Sequence, residues 1–137
     1  MGQQQLLLVI LVTIIVGIAT VVAINTFGSA ADSANLDAVR QDLANIGASA
    51  QQYFIKPEML GGGGNDFEDI TFNNITFAAD SIYNSGLSAA NANGSYVITA
   101  PGSGATTLTV TATPTSGALT SIVATITEDD MSLAENQ

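Results

Sequence analysis

The first charged side chain in this sequence is Asp32. Ahead of it, Leu6 to Ile24 reads LLLVILVTIIVGIATVVAI, interrupted only by Thr13, Gly17 and Thr20. As a helix this run spans about 28 Å at ~1.5 Å per residue, close to the hydrocarbon thickness of a bilayer. It is apolar on every side, so it must be buried on every side, in lipid or in protein. A core helix of a globule is the competing reading, but the downstream chain is too small and too polar to wrap it. A secretory signal peptide is another. That reading wants a basic leading region and a run of about 7–15 apolar residues, whereas MGQQQ is uncharged and the run is longer.

Composition sharpens the contrast between this head and the rest. Apolar residues make up 47% of the 137 residues and charged residues only 10%, against about 25% in an ordinary soluble domain. The formal net charge is -10, and Arg40 and Lys56 are the only side-chain cations. Two cations cannot neutralise a run of phosphates, so direct nucleic-acid binding by one subunit is not expected. Attraction to anionic lipid headgroups is equally poor. There is no cysteine and no histidine. Disulfides, thiol nucleophiles, the usual zinc sites and His-based acid–base catalysis are therefore excluded.

Beyond the apolar run, residues 27–35 (FGSAADSAN) are small and polar and carry no proline. From Leu36 a stripe appears: Leu36, Val39, Leu43, Ile46, Ala50 and Tyr53. Alternating spacings of three and four place these residues on one helical face. Asp37, Arg40, Gln41 and Gln51 lie off it, and Asp37 and Arg40 can pair at i,i+3 for a few tenths of a kcal/mol. Pro57 ends the pattern and Gly61–Gly64 mark a break. The spacing predicts one helix from about Gln3 to about Phe54, roughly 78 Å long at ~1.5 Å per residue. Its apolar front half is expected to project beyond any domain packed on its rear half.

The remainder reads as strand. Tyr96–Thr99 is short and β-rich, Thr106–Ala112 alternates with Leu108, Val110 and Ala112 on one face, and Leu119–Thr127 aligns Ile122, Ala124 and Ile126. Turns at Pro101–Gly104 and Pro114–Gly117 separate them, which predicts a three-strand antiparallel meander covered by the Leu36–Tyr53 stripe. Ile70-Thr71-Phe72 and Ile75-Thr76-Phe77 fit a tiny hairpin or irregular chain. Residues 78–94 read as a loop with one helical turn at most, and EDDMSLAENQ as an acidic surface tail. The predicted fold class is α+β. Residues 1–26 form the apolar transmembrane or filament-core half of the helix, 27–56 its amphipathic half, and 57–137 a C-terminal globular domain.

A charge-free apolar N-terminal helix that runs into an amphipathic helix and then a meander sheet resembles the type IV pilin family. The resemblance spans the whole architecture and is specific in residues 1–54. It implies a structural subunit that sits in the inner membrane before assembly and packs with identical subunits in a helical homopolymer afterwards. It also implies removal of a leader by a prepilin peptidase, methylation of the new N-terminus and a pilus assembly machinery. The residues it assigns to assembly are Met1, Gln5, Leu6, Leu8, Ile10, Ile14, Gly17 and Val21. Two positions depart from the family: Gln5 stands where the mature subunit has Glu, and Val22 where it has a helix-breaking proline. Gln5 can accept a hydrogen bond from a neighbour's terminal amine but cannot form an ion pair. Either the chain begins at a processed terminus or Met1 is an initiator; the missing positive flank favours processing.

Other constellations are weaker. Asn65-Asp66-Phe67-Glu68-Asp69 offers oxygen ligands for Ca²⁺, though without EF-hand spacing, and Glu128-Asp129-Asp130 offers fewer. Both read more simply as solvated acids, and no cofactor or metal is expected. Asn74-Ile75-Thr76 and Asn93-Gly94-Ser95 are glycosylation sequons, and Asn93-Gly94 is equally an ordinary tight turn. Gly61–Gly64 lacks the Lys-Ser/Thr of a phosphate loop and exits a helix. No carboxylate pair converges for catalysis, so an enzyme is not expected. A single-span, membrane-anchored binding or sensing domain shares every feature of the anchor and remains the alternative to a filament subunit.

Overall fold

The computed structural model describes residues 2–137; Met1, assigned above to assembly, lies outside them. The chain divides into two compact units, residues 1–33 and 34–137. One helix, α1 (Gly2–Ile55), contributes to both. No proline occurs before Pro57, and the small residues at 28–34 do not break the helix.

The second unit is α+β. Six strands follow α1: β1 (Ser81–Tyr83), β2 (Ser88–Ala90), β3 (Gly94–Thr99), β4 (Leu108–Pro114), β5 (Ser121–Ile126) and β6 (Met131–Asn136). They form one antiparallel sheet in sequential order β1 to β6. The register of its centre pairs Ile98 with Val110 and Val110 with Ala124. The inner face therefore carries Tyr96, Ile98, Leu108, Val110, Ala112, Ile122, Ala124 and Ile126, all buried. They share one core with the helix stripe, of which Val39, Leu43, Ile46, Ala50 and Tyr53 are buried and Leu36 half-buried. The rear of the helix and residues 57–137 thus belong to one unit, because neither buries its apolar face without the other.

The predicted three strands are the centre of a sheet twice that width. Residues 78–94, expected as loop, hold β1 and β2, and the expected tail forms the edge strand β6. The reason is compositional. Ser-Ile-Tyr and Ser-Ala-Ala are too short to alternate, and Glu, Asn and Ala in β6 are residues depleted in strands; backbone pairing to a formed neighbour overrides that preference. Ile70–Phe77 is irregular rather than a hairpin, yet Ile70, Phe72 and Ile75 are buried beneath it.

The glycine run is a built helix terminus. The last carbonyls of an α-helix lack intrahelical donors. Here the N–H groups of Gly63, Gly64 and Asn65 donate to the carbonyls of Tyr53, Lys56 and Phe54 at 2.8, 2.9 and 2.6 Å. A Cβ on Gly62 would strike the Lys56 carbonyl, and one on Gly63 the Asp66 carbonyl. Phe54 then stacks on Phe67 with ring centroids 4.7 Å apart. The Tyr53 hydroxyl donates to the Glu68 carbonyl at 2.9 Å, so both aromatics also anchor this loop besides packing in the core.

Candidate functional site

The surface that demands explanation lies in the first unit. Every described residue from Gly2 to Ala31 is exposed. Leu6 and Leu8 are each 63% exposed, and Ile10, Ile14 and Val21 are exposed as well. Gln5 is also exposed, and nothing approaches the position a Cβ would take on Gly17. The helix is long and apolar enough to cross a membrane.

Its hydroxyls do not spoil that surface. Thr13, Thr20 and Thr26 donate back to the carbonyls of Val9, Val16 and Val22 at 2.7, 2.8 and 2.8 Å. An unpaired hydroxyl in an apolar medium costs several kcal/mol; these three are paired within their own helix and enter such a medium without a partner. In the sequence, Thr13 and Thr20 look like interruptions of the apolar run. The i−4 carbonyl available to any helical threonine is the signal that removes them as polar defects.

The polar groups of the second unit serve the fold. Asp42, which the sequence did not single out, accepts hydrogen bonds at one oxygen from the Tyr96 hydroxyl (2.6 Å), Asn93 Nδ2 (2.8 Å) and Asn91 Nδ2 (2.9 Å). Partial burial alone would raise its carboxyl pKa, but the bonds from Asn93, Tyr96 and Asn91 outweigh burial and hold it below the ordinary value. Burial, and then the Asp42 contact, push the Tyr96 hydroxyl well above the usual phenol range. The cluster pins the β2–β3 turn to α1. A depressed carboxylate pKa stabilises the fold fully above the unfolded value of about 3.9 and loses that contribution as pH falls through the folded value. Asp42→Ala is expected to leave the buried Tyr96 hydroxyl without an acceptor, at a cost of roughly 1–3 kcal/mol. Thermal melts at pH 7 and pH 3 check this: the variant should lose stability at pH 7 and lie closer to the parent at pH 3.

The sequon nitrogens differ in setting. Asn93 Nδ2, the atom a glycan would take, is engaged with Asp42. Asn74 is exposed on a turn, with its Nδ2 3.3 Å from the Asp69 carbonyl. Of the acidic loop, Asp66 accepts the Glu68 and Gly104 N–H groups at 2.8 and 2.7 Å. The Glu68 bond is the chief cause of its lowered pKa. Among the described residues no group of three or more Asp or Glu side chains is placed to hold one metal ion. Arg40 meets Asp37 at 2.8 Å as the spacing suggested, and also Glu135 at 2.6 Å, which ties α1 to β6. Gln51 reaches the carbonyls of Thr127 and Asp130 at 3.1 and 3.3 Å, fixing the β5–β6 turn to α1.

With the geometry in place, comparison with known proteins adds no relative: no protein-family model, curated protein or solved structure matches this chain.

Proposed function

We propose that this chain is the structural subunit of a type IV pilus-like extracellular filament. One observation carries the reading. The front of α1 is apolar on every side, uncharged and exposed throughout, and its hydroxyls bond within the helix. Such a surface is stable in two environments, lipid before assembly and a bundle of identical helices after it. Burial between helices contributes about 25 cal/mol per Å² of apolar surface. A head-to-tail contact repeated between identical subunits produces an open helical polymer.

In this reading Leu6, Leu8, Ile10, Ile14 and Val21 are covered by neighbouring helices, and Gly17 allows close approach. Gln5 accepts a hydrogen bond from a neighbour's terminal amine where the family uses a carboxylate, so registration rests on a neutral bond and packing. The role is structural, not enzymatic, and the prepilin peptidase and assembly machinery of the family act on the chain.

Electron microscopy of material sheared from cells tests the proposal. Filaments that contain this chain are expected, and mass analysis of their N-terminus should show a methylated terminal residue. A chain that stays in the membrane fraction, makes no filament and is monomeric in detergent would instead be a single-span anchor for a small binding domain.

A further inference from the structure

Two Asn-X-Ser/Thr tripeptides occur in the chain, and the fold places them in opposite settings. Asn93-Gly94-Ser95 runs into the sheet. Gly94 and Ser95 begin β3, and Ser95 is paired with Ala90 on one side and Thr113 on the other. Asn93 is half-buried, and its Nδ2 shares one Asp42 oxygen with Asn91 Nδ2 and the Tyr96 hydroxyl. A sugar on that nitrogen would have to enter the contact between the β2–β3 turn and α1, where these three donors already converge.

Asn74-Ile75-Thr76 belongs to no strand or helix. Asn74 closes a turn, its N–H donating to the Thr71 carbonyl at 3.0 Å. Ile75 is buried, and the Ser49 hydroxyl donates to the Thr76 carbonyl at 2.8 Å. The tripeptide is thus pinned to the core through its middle residue and to α1 through its end. Asn74 and Thr76 are both exposed. The Thr71 hydroxyl donates to Asn74 Oδ1 at 2.9 Å, and Asn74 Nδ2 lies 3.3 Å from the Asp69 carbonyl. Both bonds are open to solvent, where water replaces a lost partner at little cost. An amide that carries a sugar also keeps one N–H, and the long contact to Asp69 needs only that hydrogen.

We infer that Asn74 is an N-glycan acceptor and that Asn93 is not. A sequon serves as an acceptor on an exposed loop of a secreted protein, and Asn74-Ile75-Thr76 alone of the two lies on one. The donor is an oligosaccharide esterified through its anomeric carbon to a lipid phosphate. Asn74 Nδ2 bonds to that carbon as the carbon–oxygen bond to phosphate breaks. The phosphate leaves with the bonding pair, and the amide nitrogen gives up one proton to solvent. The inference shares with the filament reading only the placement of the second unit outside the cell.

Peptide masses test it directly. The full chain, purified from the cells that make it, is cleaved after Phe77 and Tyr83, which puts the two sequons in separate peptides. The expected result is a sugar mass on the Asn74 peptide and none on the Asn93 peptide. Asn74→Gln and Thr76→Ala should each lose that mass completely, Thr76→Ser should keep it, and Ser95→Ala should leave it unchanged. Ser95→Ala removes the second sequon while sparing the bond from Asn93 to Asp42. A bare Asn74 peptide, or a sugar on Asn93, would overturn the inference. So would a mass retained by Asn74→Gln, which would sit on a hydroxyl. Imaging the same preparation separates the two readings. Filaments with a bare Asn74 uphold the filament reading alone, and a chain glycosylated at Asn74 without filaments upholds the acceptor alone.

Discussion

On the filament reading proposed above, Ile14→Asp should abolish filaments and deplete the chain from the membrane fraction. Ile14 lies near the middle of the apolar run and is 54% exposed, so it contributes nothing to the core of the second unit. An Asp at the centre of a membrane-spanning helix costs about 2.5–3.5 kcal/mol on insertion. In a helix bundle the same carboxylate would be buried without a partner, a penalty of several kcal/mol. Both environments reject it, so loss is expected at either stage. Fractionation followed by imaging reads the two stages separately. Filaments at parental abundance would show that the apolar surface is not what the polymer buries.

Leu43→Ala acts on the other unit, with the opposite signature. Leu43 is fully buried in the core shared by α1 and the sheet. Truncating a buried leucine costs about 2–5 kcal/mol, because the site loses both transfer free energy and packing. For a domain of this size each kcal/mol lowers the melting temperature by about 4–8 °C. A fall of at least about 8 °C is therefore expected in detergent, with membrane insertion unchanged. Leu60→Ala, at an exposed position, is the control and should melt with the parent. A Leu43→Ala melt that also matched the parent would contradict the assignment of the stripe as the sheet's cover.

The two halves of the chain were not equally legible. The helix could be read almost to the residue, because its signals add along one element: no charge before Asp32, spacings of three and four from Leu36 to Tyr53, and Pro57 to stop it. The inward strand positions Leu108, Val110, Ala112, Ile122, Ala124 and Ile126 were legible for the same reason, a clean period of two. What escaped was whatever depends on a distant partner. β1, β2 and β6 exist through pairing to strands already formed, and no local preference announces them. Asp42 joins Asn91, Asn93 and Tyr96 across 49 to 54 residues of sequence, so its role appears only once the turn is folded over the helix. In the candidate assembly surface, the exposed apolar residues were legible as a run. The internal satisfaction of Thr13, Thr20 and Thr26 needed the helix itself.

The sequential strand order has a consequence for the order of events during synthesis. Val39, Leu43 and Ile46 leave the ribosome early, but the residues that sheathe them run from Tyr96 to Ile126 and arrive late. At about 5–20 residues per second, the stripe waits several seconds for its cover. Each hairpin can zip onto the previous one as it emerges, yet the stripe cannot be fully covered before Ile126 has been made. During that interval the chain carries two exposed apolar surfaces, the front of α1, long and apolar enough to cross a membrane, and the stripe behind it. Early capture of the first by the membrane would leave only the second to be shielded until the sheet closes.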